Sequence, residues 1–168
     1  MEKKLVKLFE KAYAFCEEEN YFKAIECYDE ILKTEPHNVK ALIDKGVTLQ
    51  NVGKLEESIK LYDVAISLQP KNLDALINKG SALHTLGEFS KAIGCYDLAL
   101  KIDKKCAMAF AYKGLSLGEQ GNVKDALKFF KKALSIDKDY DFAKISKEVA
   151  QHILEAIEKE KSPKFKIQ

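Results

Sequence analysis

The sequence predicts an all-α solenoid, four helix–turn–helix units and a C-terminal capping helix, on three observations. Residues recur with a period of 34: Gly46, Gly80 and Gly114; Gly53, Gly87 and Gly121; Tyr28, Tyr62, Tyr96 and Phe130; Leu8, Leu42, Leu76 and Phe110. Inside each unit the apolar residues keep helical spacing, as with Leu42, Gly46 and Leu49 on one face and Ile59, Tyr62, Ala65 and Ile66 on another. Glycine and proline punctuate the helices. Gly53, Gly87 and Gly121 fall where a first helix must stop in a left-handed residue, and Pro36 and Pro70 fall just past second helices.

The units occupy 5–38, 39–72, 73–106 and 107–140, with no linker between them. Their helices are expected at 6–18 and 21–34, 39–52 and 55–68, 73–86 and 89–102, and 107–120 and 123–136. Gly46, Gly80 and Gly114 lie inside first helices, where glycine costs about 1 kcal/mol relative to alanine. Close approach of the second helix is the expected compensation, helped by the small column Ala24, Ser58, Ala92 and Ala126. The aromatic column Tyr28, Tyr62, Tyr96 and Phe130 then fills the gaps between units. Residues 141–160 form one more amphipathic helix with Phe142, Ile145, Val149, Ile153 and Ala156 on one stripe. Lys144, Glu148 and Gln151 stand where a repeat needs core residues, so this segment reads as out of register with a fifth repeat and as a cap on the last one. Residues 161–168 read as a flexible tail.

Composition narrows the function. The 168 residues are 46% hydrophobic and 32% charged, the balance of a folded domain. Twenty-eight basic residues against 26 acids leave a charge of +2, and every basic residue is Lys, so the bidentate fork that reads phosphates and guanine edges is absent. Residues 73–168 are mildly basic, and Lys124, Lys128, Lys131 and Lys132 read as a solvated outer face of one helix. The longest apolar run, Cys106 to Tyr112, is far short of the roughly 20 residues needed to span a bilayer. Lys7, Glu10 and Lys11 interrupt any signal-like core, and Cys16, Cys27, Cys95 and Cys106 form no CxxC pair, so a cytoplasmic protein with reduced thiols is expected. Cys27 and Cys95, in one column two units apart, are too distant for a disulfide. His37, His84 and His152 complete no metal-ligand set, and His84 and Cys16 lie two units apart, too far for a base and nucleophile to meet. No enzyme, cofactor or metal is expected.

Leu42-x-x-Lys45-Gly46-x-x-Leu49, then Gly53, Ser58, Tyr62, Ala65 and Pro70, and likewise Leu76, Gly80, Leu83, Gly87, Ala92, Tyr96 and Ala99, resemble the tetratricopeptide repeat; the likeness spans residues 5–140. Departures are Leu for the opening aromatic in three units, Lys11, Lys45, Lys79 and Lys113 for an apolar residue, Ala12 for the first glycine, and Lys104 and Lys138 for proline. The resemblance implies a right-handed α–α superhelix whose first helices line a concave binding surface. Its groove would comprise Phe9, Tyr13, Ile43, Val47, Gln50, Ile77, Ser81, His84, Ala111, Tyr112 and Leu115, with Val6, Cys16 and Met108 beside them. The Lys and Asn clamp that some members use on acidic chaperone C-termini is missing from the inward positions. The resemblance therefore implies a noncatalytic protein-interaction module that takes an apolar segment or helix of a protein partner. Its alternatives are a nucleic-acid-binding helical repeat, which the apolar inner columns disfavour, and a self-assembling scaffold joined through the C-terminal helix as a homo-oligomer. No nucleic-acid or membrane partner is expected.

Overall fold

The computed structural model describes residues 2–161, with side chains for 3–159. The helices lie nearly where the periodicity predicts them. Among the described residues there are nine α-helices and no strand: α1 (Glu2–Glu17), α2 (Tyr21–Thr34), α3 (Val39–Asn51), α4 (Leu55–Leu68), α5 (Leu73–Thr85), α6 (Phe89–Ile102), α7 (Ala107–Glu119), α8 (Val123–Ile136) and α9 (Asp141–Lys161). The predicted tail, but for Lys161, lies outside the described residues. The chain divides into two compact units after Cys95, within α6.

The turns repeat because their chemistry repeats. Gly53, Gly87 and Gly121 have φ of +77°, +78° and +80°. Around Gly53, the Lys54 N–H donates to the Leu49 carbonyl and the Gly53 N–H to that of Gln50, a Schellman closure that recurs at the other two glycines. The first hairpin closes the same way on Glu19, at φ 56°, a left-handed non-glycine residue that the glycine pattern could not predict. At the opposite turns Asn38 and Asn72 cap α3 and α5, each side-chain oxygen accepting from an N–H three residues on, of Ala41 and Ala75, at 3.0 Å. Before α7, Lys104 replaces the proline and Cys106 gives no side-chain cap, yet the helix starts in step at Ala107. Asp103 shapes that turn, its carboxylate accepting from the Lys105 N–H at 2.8 Å and its carbonyl from the Cys106 N–H at 3.3 Å.

In the first unit, Tyr62 of α4 lies over Gly46 of α3. A Cβ on Gly46 would sit 2.5 Å from Tyr62 Cε1, so the glycine admits the ring of its own hairpin. The ring is buried completely, and the Gln50 amide donates to its hydroxyl at 2.5 Å. The expected filling between units is therefore joined by a contact within the hairpin. Lys45 of α3 pairs with Asp29 of α2, and Lys79 of α5 with Asp63 of α4, both at 2.5 Å. These pairs join the second helix of one hairpin to the first helix of the next, and they account for lysine at a position where an apolar residue was expected.

The second unit repeats both contacts. A Cβ on Gly114 would meet Phe130 Cε1 at 2.9 Å. Lys113 pairs with Asp97 at 2.5 Å and also lies 4.5 Å over the Phe129 ring. The reading of α9 requires correction. It begins 34 residues after α7, and its buried Ala143 and Ala150 stand in the columns of Ala109 and Ser116, so its face toward the preceding hairpin keeps the repeat register. Ala143 packs with Ala111 and Ala133, and Ala150 with Val123, Leu127 and Phe130. Polar residues replace only the face that a following helix would cover. The stripe Ile145, Val149 and Ile153 is not the packing face: these residues are 62%, 52% and 45% exposed.

Gly46→Ala is expected to destabilise by about 1–3 kcal/mol through overpacking, although alanine is the better helix former. Gly94→Ala, in α6 with nothing within 4 Å of the new methyl, is expected to raise stability by up to about 1 kcal/mol; thermal melts of the two variants check both signs. A double-mutant cycle on Lys79 and Asp63 is expected to give a coupling of about 0.5–1 kcal/mol that shrinks in high salt.

Candidate interaction surface

In the first unit the groove positions are put to several uses. Ile43 and Ile77 are buried, so their side chains belong to the packing between first helices more than to an open groove. Phe9 and Tyr13 of α1 lie together with ring centroids 6.1 Å apart, and Lys40 of α3 holds its ammonium 5.3 and 5.1 Å from those rings. The Tyr13 hydroxyl donates to Asp44 at 2.7 Å, and Lys40 pairs with the same carboxylate at 3.3 Å. Burial pushes the Tyr13 phenol up, while its bond to Tyr13 pushes the Lys40 ammonium up. Lys40 and Asp44, which the sequence reading left out of the groove, thus share its surface with two aromatics. Val47 is half-buried against the α3–α4 core. Gln50 is engaged by Tyr62, and the His84 ring lies 5.2 Å from that of Phe89. Ser81 is partly exposed, its backbone carbonyl accepting from the Thr85 hydroxyl at 3.1 Å.

In the second unit Ala111 is fully buried, and Tyr112 is held between Tyr96 and Phe142 at ring distances of 5.9 and 5.3 Å. Burial pushes the neighbouring Tyr140 phenol up to about 12. Leu115 differs, because it borders an open cleft of about 440 Å³. The end of α7 gives Leu115, Gly118 and Glu119; α8 gives Val123, Ala126 and Phe130; and α9 gives Ile145, Val149 and Ile153. The lining is apolar but for Ser146 and Glu119. The signal for this site was present in the sequence. Ile145 and Val149 stand 34 residues after Ala111 and Leu115, so the inner column of first helices continues into α9.

Among the described residues, no group of three His, Cys, Asp or Glu side chains is placed to hold a metal ion. No described helix is long and apolar enough to cross a membrane. Burial pushes the thiols of Cys27 and Cys95 up, and Cys16 Sγ lies 3.6 Å from the Thr48 hydroxyl.

Paired helices in a fixed period, closed by the same turns and joined by the same ion pairs, define an all-α helical-repeat protein. The tetratricopeptide repeat profile matches residues 9–72 and 43–105, and a second tetratricopeptide repeat profile matches 112–140; the chain belongs to this family. A search of curated proteins found no match. Among solved structures, MamA is similar with a TM-score of 0.76 at 23% identity, over 90% of this chain and 83% of that one. YrrB, described as a tetratricopeptide repeat protein with an unusual peptide-binding site, has a TM-score of 0.74 at 19% identity, over 86% and 74%. The first repeat domain of Spaghetti (RPAP3), solved with the HSP90 peptide SRMEEVD, has a TM-score of 0.66 at 22% identity, over 69% and 92%. These likenesses show the fold.

The thiolate is the reactive form of cysteine, and a raised pKa with burial lowers its population at a given pH. Alkylation of Cys95 at mildly alkaline pH is therefore expected to be at least about tenfold slower in the folded chain than in urea, measured by mass spectrometry of the labelled peptide.

Proposed function

We propose that the chain is a noncatalytic, cytoplasmic scaffold module that takes an apolar segment or amphipathic helix of a protein partner on the inner faces of its first helices. In this reading residues 5–38, 39–72, 73–106 and 107–140 are four repeats and 141–160 caps the last. One observation carries the proposal: the apolar cleft of the second unit, where Val149 and Ile153 are about half exposed and Leu115, partly buried against the α8 core, borders open space. The first unit offers the partly exposed Phe9, Tyr13 and Val47 in the equivalent columns. The peptide-binding site described for YrrB and the peptide-bound structure of Spaghetti support a peptide as the ligand class. An acidic tail of the SRMEEVD kind suits this surface less, because the inward positions carry apolar side chains where a clamp would carry cations.

Selection from a random peptide library is expected to enrich sequences with two or more apolar anchors at helical or extended spacing. A Val149→Glu/Ile153→Glu double variant, changed where both side chains are about half exposed, is expected to keep its thermal melt and to lose those peptides by at least about a hundredfold. Undiminished binding by a folded double variant would exclude the cleft.

A further inference from the structure

The peptide reading of the second-unit cleft, on which this inference rests, reaches a segment of the chain itself. The cleft lies at the turn end of its unit, where Gly118, Glu119 and Gly121 border it together with Val149 and Ile153 of α9. From Ile153 α9 runs on past the cleft to Lys161, about 12 Å of helix. The chain then continues as Ser162-Pro163-Lys164-Phe165-Lys166-Ile167-Gln168.

Reach, pattern and charge fit that segment to the cleft. Pro163 cannot continue a helix and biases Ser162 toward extended backbone, so the sequence breaks the helix where a returning chain must leave it. From Lys161 an extended chain spans about 13 Å to Phe165 and about 20 Å to Ile167. The way back along α9 is about 12 Å to Ile153 and about 18 Å to Val149, distances that a helical segment of the same length falls short of. Only an extended return arrives. An extended chain turns alternate side chains to opposite sides, which puts Phe165 and Ile167 on one side and Lys164 and Lys166 on the other. The first side suits the apolar lining. The second suits the rim, where Glu119, exposed and in no ion pair among the described residues, is the one charged residue bordering the cleft. A tether this short gives the segment an effective concentration on the order of millimolar, which neither a free peptide nor a second copy matches when dilute.

We infer that Phe165 and Ile167 of the chain's own C-terminal segment occupy the cleft, extended and antiparallel to α9, and that a partner peptide binds by displacing them. In NMR of the full chain, nuclear Overhauser contacts are expected between the Phe165 ring and the methyls of Ile153 or Val149. Phe165→Ser/Ile167→Ser, placed beyond α9, is expected to shift those methyls. It is also expected to tighten a library-selected peptide by at least about threefold, because a cleft covered most of the time lowers apparent affinity by the open fraction. Absence of the ring-to-methyl contacts, or methyls unmoved by the serine variant, would overturn the inference. So would cleft methyls that shift with chain concentration instead, since a second copy would then be the occupant. The peptide site is scored apart. A peptide lost on Val149→Glu/Ile153→Glu but bound equally by the wild type and the serine variant overturns the displacement and leaves that site standing. Ring contacts present while the glutamates leave peptide binding undiminished keep the segment in the cleft and remove the peptide from it.

Discussion

The Cβ that Gly46 lacks would sit 2.5 Å from the Tyr62 ring, and the same exclusion recurs between Gly114 and Phe130. This contact sets the distance between the two helices of a hairpin. With the aromatic ring seated in its own hairpin, the first helix turns one face to its partner helix and a second face, carrying Ala41, Ala75 or Ala143, to the hairpin before it. A third face is left over. That third face is the inner column, and its exposure follows from the packing of the other two.

The ion pairs Lys45 to Asp29, Lys79 to Asp63 and Lys113 to Asp97 act on orientation more than on stability. Each lysine is mostly covered while its carboxylate stays half in solvent, so each lysine stem also lies on apolar surface. The column ends where Lys131 takes the place of the acid, and α9, whose Lys147 continues the basic column, is held instead by Ala143, Ala150 and the rings around Phe142.

Much of the fold was legible because it is written several times over. The second helices α2, α4, α6 and α8 have the boundaries that periodicity predicts, since the 34-residue spacing carries the glycine and proline punctuation of one unit over to the units that lack it. The turn at Glu19 was not legible, because an acidic residue in the left-handed region leaves no compositional mark. The role of Lys45, Lys79 and Lys113 was hidden because each partner lies 16 residues upstream, beyond the spacing at which helical charge pairs are recognised. The α9 face was misread for a physical reason: small Ala143 and Ala150 make the buried contact, while the larger Ile145, Val149 and Ile153 dominate any hydrophobic pattern. Of the groove residues, those at the inter-helix seam, Ile43, Ile77 and Ala111, are buried, and inner position alone does not separate seam from open surface.

Two sets of exposed apolar residues compete as the contact surface: the inner column, with Leu115, Ile145, Val149 and Ile153, and the second-helix residues Val64, Leu68, Leu98 and Ile102. Methyl NMR of isoleucine, leucine and valine, recorded as a library-selected peptide is added, separates them directly. The account predicts shifts centred on Leu115, Ile145, Val149 and Ile153. Shifts confined to Val64, Leu68, Leu98 and Ile102, with the inner column unmoved, would contradict it.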